Sequence, residues 1–90
     1  MTINDQILRK QLRFRSWHRG TREMDLLLGR FADANLAQMD RGQLDRYAWL
    51  LENSDPDIYI WVTGREAPPD TIGDDLWQLL TASFHINRND

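Results

Sequence analysis

The sequence of 90 residues contains no cysteine, which excludes disulfide bonds, thiol catalysis and thiolate metal sites. It also lacks any apolar run near the ~20 residues that a membrane-spanning helix requires. The first residues, MTINDQILRKQLRF, are too polar for a signal peptide, and because the motifs described below begin at Arg19 we do not expect a mitochondrial transit segment. We therefore expect a cytoplasmic, bacterial protein with no direct membrane insertion.

Residues suited to catalysis or metal binding are scarce. His18 and His85 lie far apart, and neither has ligand spacing to another histidine or acid on its own predicted helix. Asp74 and Asp75 are adjacent carboxylates, but two acids at a helix start usually stabilise the helix dipole. No Gly-rich phosphate loop or nucleophile elbow is present. The sequence thus predicts no metal site, no stably bound cofactor and no enzymatic activity.

Charge is distributed unevenly along the chain. Residues 1–22 carry six of the 11 basic side chains but one of the 14 acidic ones, although the net charge is −3. A basic N-terminal segment in an otherwise acidic chain indicates an interaction surface, with an acidic protein or a phosphate as the partner. The length favours one domain over residues 1–90, with room for a single small core.

Apolar residues recur with helical spacing, and the pattern predicts an all-α, compact five-helix single domain. Helices are expected at about 2–18, 21–36, 40–53 and 55–63, with the last beginning between 70 and 74. In the first helix the expected buried stripe is Ile3, Ile7, Phe14 and Trp17, widened by Leu8 and Leu12. The second helix has the clearest stripe: Met24, Leu27, Leu28 and Phe31. The fourth segment is rich in β-branched residues and would also suit a strand.

Helix starts are marked by capping residues. Gly20 is expected to be the N-cap of the second helix, with Glu23 reaching back from the third helical position. Asp40 and Gln43 have capping-box spacing at the third helix. Asp55 is expected to cap the fourth helix, with a proline at the first helical position.

Two segments share an Arg-Gly-x-x-acid outline. The first, RGTRE, spans Arg19 to Glu23, and the second, RGQLD, spans residues 41–45. For the first, local chemistry allows either a simple helix junction or a surface that another molecule recognises. Because the outline occurs twice, it has little weight alone.

With its surroundings, the first segment resembles the family of succinate dehydrogenase FAD assembly factors, also called flavinylation factors. The resemblance covers residues 10–64. The hallmark Arg-Gly-x-x-Glu, with its usual Arg and Asp extension, is matched by Arg19, Gly20, Arg22, Glu23 and Asp25. A second block, Leu-Leu-Glu followed by Asp-Pro-Asp and two aromatic residues, is matched by Leu50, Leu51, Glu52, Asp55, Pro56, Asp57, Tyr59 and Trp61. His18 departs from the basic residue common at its position, and Met24 from a commoner Leu.

The resemblance implies an assembly factor of respiratory complex II, chaperone-like and not itself an enzyme. It would bind the flavoprotein subunit of succinate dehydrogenase, and by extension that of fumarate reductase, and promote covalent attachment of FAD to a histidine there. FAD would be the client's cofactor, and the free factor a monomer. The expected partner-binding residues are Arg19, Gly20, Arg22, Glu23, Asp25, Trp17 and His18. For Trp17, core packing is an equal alternative to a contact role.

Two other functions remain open from the residues. The factor could carry FAD, with Arg19, Arg22 and the start of the second helix holding the pyrophosphate. In a different class, the chain could be a small helical nucleic-acid-binding or regulatory module. Against the latter, the third helix interleaves its arginines with acids, and the pI is about 5.2.

Overall fold

A computed structural model describes residues 3–88, and the side chains of residues 3–84. Its α-helices are α1 (Asp5–Trp17), α2 (Arg22–Asn35), α3 (Arg41–Leu51), α4 (Asp55–Val62) and α5 (Asp74–Arg88), with short 3-10 helices at Leu36–Gln38 and Asp70–Ile72. No residue from 3 to 88 forms a strand, so the five-helix all-α prediction is confirmed and the strand alternative for α4 is wrong. The side chain of His85 lies outside the described residues.

The contacts between residues divide the chain into two compact units, residues 1–45 and 46–90, with the boundary inside α3. Each unit is described by itself below. The expectation of a single domain over residues 1–90 stays a prediction.

In the first unit, α1 packs on α2. The buried apolar side chains of this unit are Leu8, Leu12, Met24, Leu28, Phe31, Ala32, Leu36, Met39 and Leu44. Arg9 contacts the C-terminal end of α2. Its guanidinium donates hydrogen bonds to the carbonyl oxygens of Leu36 and Met39, at 2.9 and 2.8 Å. The Leu36 carbonyl oxygen also accepts from the N–H of Met39 at 3.2 Å, and a cation near the carbonyl oxygens at the C-terminal end of a helix is favourable.

The buried face of α1 differs from the expected one. Leu8, Leu12 and Ser16 are buried, whereas Ile7 is 51% and Phe14 is 63% exposed. Both sets of residues have helical spacing, so periodicity alone could not say which one meets α2. Ile7 and Phe14 are therefore wrong as core residues, whereas Leu8 and Leu12, which were expected to widen the stripe, are confirmed as buried. The predicted stripe of α2 is confirmed, with Leu27 only half-buried.

The capping predictions had mixed outcomes. At α3, the N–H of Gln43 donates to Asp40 Oδ1 at 2.8 Å and the N–H of Asp40 donates to Gln43 Oε1 at 3.0 Å, so the capping box is confirmed. At α4, the cap is Ser54, whose hydroxyl accepts from the N–H of Asp57 at 3.3 Å. Asp55 is instead the first helical residue. The prediction was one residue late because serine and aspartate are equally good caps.

The second unit has its own buried side chains: Tyr47, Leu50, Leu51, Ile58, Ile72, Leu76, Leu80 and Phe84. Arg46 stabilises the start of α5. Its guanidinium donates a hydrogen bond to the Ile72 carbonyl oxygen at 2.6 Å and forms an ion pair with Asp75 at 2.7 Å. Gly73 makes room for it, since a Cβ there would lie 2.0 Å from Arg46 Nη1. The indoles of Trp49 and Trp61 are parallel, with centroids 6.4 Å apart.

Candidate partner-binding site

The seven expected site residues lie at the junction of α1 and α2. The loop turns at Gly20, whose φ of 123° is one that residues with a side chain rarely adopt. Thr21 then returns to extended geometry, and its hydroxyl accepts from the N–H of Met24 at 3.3 Å. A residue other than glycine at position 20 would strain this turn.

Thr21 is thus the N-cap of α2, and the prediction that Gly20 is the cap was wrong. Glycine has no side-chain oxygen to offer the free N–H groups of the first turn, whereas threonine has one. The shift places Glu23 at the second helical position, so the expected capping box with Gly20 does not form. The Glu23 carboxylate therefore makes no capping hydrogen bond to the backbone of Gly20.

Asp25 holds the loop from the first turn of α2. Its Oδ1 accepts a hydrogen bond from the backbone N–H of Arg19 at 2.5 Å, across six residues. Asp25 is half-buried, as is Arg19. A carboxylate at a helix N-terminus is also favoured by the helix dipole. The geometry gives Asp25 a positioning role: it fixes the backbone on which the motif is displayed.

Arg22 and Glu23 differ from Asp25 in both exposure and contacts. Both are exposed on the first turn of α2. Among the residues that the structure describes, neither side chain has a hydrogen-bond or ion-pair partner. Neither side chain therefore contributes an internal hydrogen bond or ion pair in the described structure, and both groups are exposed to another molecule.

His18 ends α1 and is also exposed. Its ring stacks on Phe14 with centroids 3.9 Å apart and an angle of 19° between the planes. Its Nδ1 lies 2.6 Å from the Phe14 carbonyl oxygen, so Nδ1 carries the proton and donates. These two contacts fix the orientation of the imidazole ring beside the loop.

Trp17 is half-buried, with its indole lying on α2. A Cβ on Gly29 would lie 2.2 Å from Trp17 Cδ2, so the ring rests directly on the glycine backbone. The indole N–H donates to Asp33 Oδ1 at 3.3 Å, and Arg13 pairs with the same oxygen at 3.4 Å. Trp17 therefore packs within the first unit, as the core-packing alternative expects. The importance of Gly29 was missed, because a glycine inside a helical stripe gives no signal of what covers it.

The second Arg-Gly-x-x-acid segment is used differently. Arg41 pairs with Asp45 four residues on and with Asp5 of α1, both at 3.0 Å. The hydrogen bond from Arg41 to Asp5 raises the pKa of Arg41 above its ordinary value, and the hydrogen bond to Asp45 raises it further. Gly42 lies inside a helix, and a Cβ there would meet only Asp40 Oδ1, at 3.4 Å. This copy is structural, whereas Arg22 and Glu23 of the first copy are exposed.

Neither a metal-binding cluster nor a membrane-spanning helix is found in the part of the chain that the structure describes. Within it, no three His, Asp or Glu residues are grouped so as to hold a metal ion. Its helices are also too short or too polar to span a bilayer.

Comparison with known proteins places this chain in a family. The model of the Sdh5 family, described as flavinator of succinate dehydrogenase, matches residues 10–83. The chain belongs to this family. The match includes the whole of the α1–α2 junction and extends through most of α5, well beyond residues 10–64 that carry the resemblance in the sequence.

Two relatives illustrate the relationship. A mitochondrial succinate dehydrogenase assembly factor 2 of Dictyostelium discoideum is 37% identical over 93 residues, covering 98% of this chain and 64% of the relative. An FAD assembly factor SdhE of Acetobacter pasteurianus is 34% identical over 80 residues, covering 89% of this chain and 73% of the relative.

A fungal relative is similar over a shorter stretch. The mitochondrial assembly factor 2 of Aspergillus flavus is 40% identical over 68 residues, covering 76% of this chain and 23% of the relative. The chain thus spans less than two thirds of the length of the Dictyostelium and Aspergillus relatives. The resemblance identified from the motifs of the sequence is confirmed.

Proposed function

We propose that this chain binds the flavoprotein subunit of succinate dehydrogenase and promotes the covalent attachment of FAD to a histidine of that subunit. One observation carries the proposal beyond family membership. The exposed pair Arg22 and Glu23 has no internal partner in the described part of the chain, and it stands beside a loop fixed by Gly20 and Asp25. The names of the relatives, assembly factors of succinate dehydrogenase or of FAD, support this client.

The chemistry of the junction suits recognition of a folded protein. The Arg22 guanidinium offers a planar fork for a carboxylate or for backbone carbonyl oxygens, and Glu23 can accept from a partner cation. Gly20 has no side chain, so a partner backbone can approach the turn closely. Because the loop is already ordered, binding costs little conformational entropy at the site.

The factor is proposed to act by differential binding and not as the catalyst. It would favour the arrangement of the flavoprotein in which FAD and the accepting histidine meet, and so raise the population of that state. The bond itself would form within the flavoprotein. Affinities for the flavinylated and the unflavinylated subunit, measured by calorimetry, should differ. Equal affinities would contradict this mechanism, because a ligand with no preference shifts no equilibrium.

FAD is proposed to remain the client's cofactor, with none stably bound to this chain. The first turn of α2 holds Glu23 and Asp25, and these acids oppose a pyrophosphate at that helix end. A cavity of about 350 Å³ beside Trp77 is lined by Asp70 and Asp74, which disfavour an anionic ligand as well. Fluorescence titration of the purified protein with FAD should show no saturable quenching. Saturable quenching abolished by Arg19→Ala and Arg22→Ala would instead support the FAD-carrier alternative.

The finer assignments are proposals too: a cytoplasmic monomer, with fumarate reductase as a second client and no nucleic acid as partner. Against a nucleic-acid module, Arg41 and Arg46 of α3 are already paired with Asp5, Asp45 and Asp75. A recognition helix needs such side chains free for bases and phosphates.

The decisive experiment is deletion of the gene, followed by in-gel flavin fluorescence of the succinate dehydrogenase flavoprotein. Covalent flavin should fall strongly, and the wild-type gene should restore it. Glu23→Gln is the best test of the site, since the exposed carboxylate has no internal partner in the described residues and the fold should not change. Normal flavin fluorescence in the deletion strain would contradict the proposed function.

A further inference from the structure

The outward face of α1 carries an apolar stripe that the first unit leaves exposed. Ile7 is 51% and Phe14 is 63% exposed, although their spacing of seven residues places them on one face, about 10 Å apart. The opposite face of α1, through Leu8, Leu12 and Ser16, is the one that is buried. This helix therefore has two apolar faces, of which the packing on α2 uses one.

The stripe continues into the candidate site. His18 lies four residues after Phe14, stacks on its ring and donates to its carbonyl oxygen. It is also the residue that caps α1, directly before the Arg19–Gly20 turn. The stacking holds the exposed phenyl ring in one orientation. A fixed aromatic side chain loses little entropy on binding and is typical of interface anchors.

The charges beside the stripe indicate the chemistry of the occupant. Lys10 is exposed between Ile7 and Phe14, one turn after the isoleucine. Arg15 is half-exposed on the other side of the stripe. An apolar strip with a cation on each side fits a protein groove that is apolar along its floor and bordered by carboxylates.

We propose that this stripe, defined as Ile7, Phe14 and His18 and bordered by Lys10 and Arg15, is a second part of the docking surface for the flavoprotein subunit. The inference rests on the proposed function and extends its site from the α1–α2 turn along the outer face of α1. The occupant is an apolar, carboxylate-bordered groove of that subunit. The turn supplies polar recognition, and the stripe supplies the apolar area that a stable complex requires.

The test is titration of the purified, unflavinylated flavoprotein subunit with Ile7→Gln, Phe14→Gln and the double variant. Each single change should weaken binding about tenfold, as expected for anchors at an interface. Leu79→Gln and Tyr59→Ser are matched controls, because these two exposed apolar side chains lie in the second unit. Both should bind within about twofold of wild type. Thermal unfolding of the stripe variants should match wild type, since the replaced side chains are exposed.

The alternatives give different results. If the double variant binds like wild type while Glu23→Gln binds weakly, the stripe is not a docking surface and the proposed function stands. If the wild-type protein does not bind the flavoprotein subunit, both proposals fail. Binding of wild type to phosphatidylglycerol vesicles that Phe14→Gln abolishes, with unchanged flavoprotein affinity, would make the stripe a membrane-binding face. A dimer in sedimentation that Phe14→Gln dissociates, again with unchanged flavoprotein affinity, would assign it to a second copy.

Discussion

The backbone N–H of Arg19 donates to Asp25 Oδ1, so an acid of the predicted partner-binding site is engaged inside the molecule and holds the turn between two helices. Glu23, two residues earlier, is exposed and has no side-chain partner in the described part of the chain. Asp25 thus shapes the loop, whereas the side chain of Glu23 faces outward.

Substitution of Asp25 should distinguish shaping from contact. Asp25→Ala removes the acceptor of the Arg19 N–H and should lower the free energy of unfolding by about 1–2 kcal/mol, with a fall in flavinylation. Asp25→Asn keeps an oxygen at the same place and should retain most of both. Urea unfolding and in-gel flavin fluorescence measure the two effects. If Asn were as harmful as Ala to flavinylation but not to stability, the charge of Asp25 would have to act on the partner.

Glu23→Gln should separate binding from folding. The exposed side chain contributes no contact within the described structure, so the free energy of unfolding should change by less than about 0.5 kcal/mol. Affinity for the flavoprotein subunit should fall about tenfold or more, because an ion pair across an interface is lost. Calorimetric titration and urea unfolding of the same preparation give both values. Unchanged affinity would remove Glu23 from the contact surface.

The two Arg-Gly segments provide a matched pair of glycines. Gly20→Ala forces a side chain into a backbone with φ of 123° and should cost about 1–2 kcal/mol of stability. Gly42→Ala, inside α3, would bring a methyl into ordinary contact with Asp40 Oδ1 at 3.4 Å and should be neutral or stabilising by up to about 1 kcal/mol. Thermal unfolding compares them directly. An equal loss at both positions would mean that the turn at Gly20 does not need its glycine.

Gly29→Ala tests the contact between α1 and α2. The new methyl would lie inside the Trp17 ring, so the helices must separate or the ring must move, at a cost of about 1–3 kcal/mol. Replacing Trp17 by Leu in the same molecule should recover part of this loss, because the smaller side chain leaves room. A double-mutant cycle by urea unfolding measures the coupling. Strict additivity would show that the indole does not rest on Gly29 in solution.

The sequence by itself determined the five helices, the capping box at Asp40 and Gln43, and the family. The helices depend on local apolar spacing, the capping box on side chains that reach one helical turn, and the family on motifs in a fixed order along the chain. All of these can be seen in the sequence alone. The predicted caps at Gly20 and Asp55 each lie one residue from the observed caps. At Gly20 the reason is that glycine has no side-chain oxygen, and at Asp55 it is that the neighbouring Ser54 offers an equally good one.

Only the tertiary structure decided which apolar face of α1 is buried and which motif residues are free. Both stripes of α1 obey the same periodicity, and packing on α2 selects Leu8 and Leu12 over Ile7 and Phe14. Likewise, Arg22 and Arg41 each belong to an Arg-Gly-x-x-acid segment, and the sequence alone does not show that their contacts differ. Arg41 meets Asp5, 36 residues away in the chain, and Arg22 meets no charged partner in the described residues. Contacts between residues distant in the chain depend on how the helices pack, and local sequence does not specify that packing.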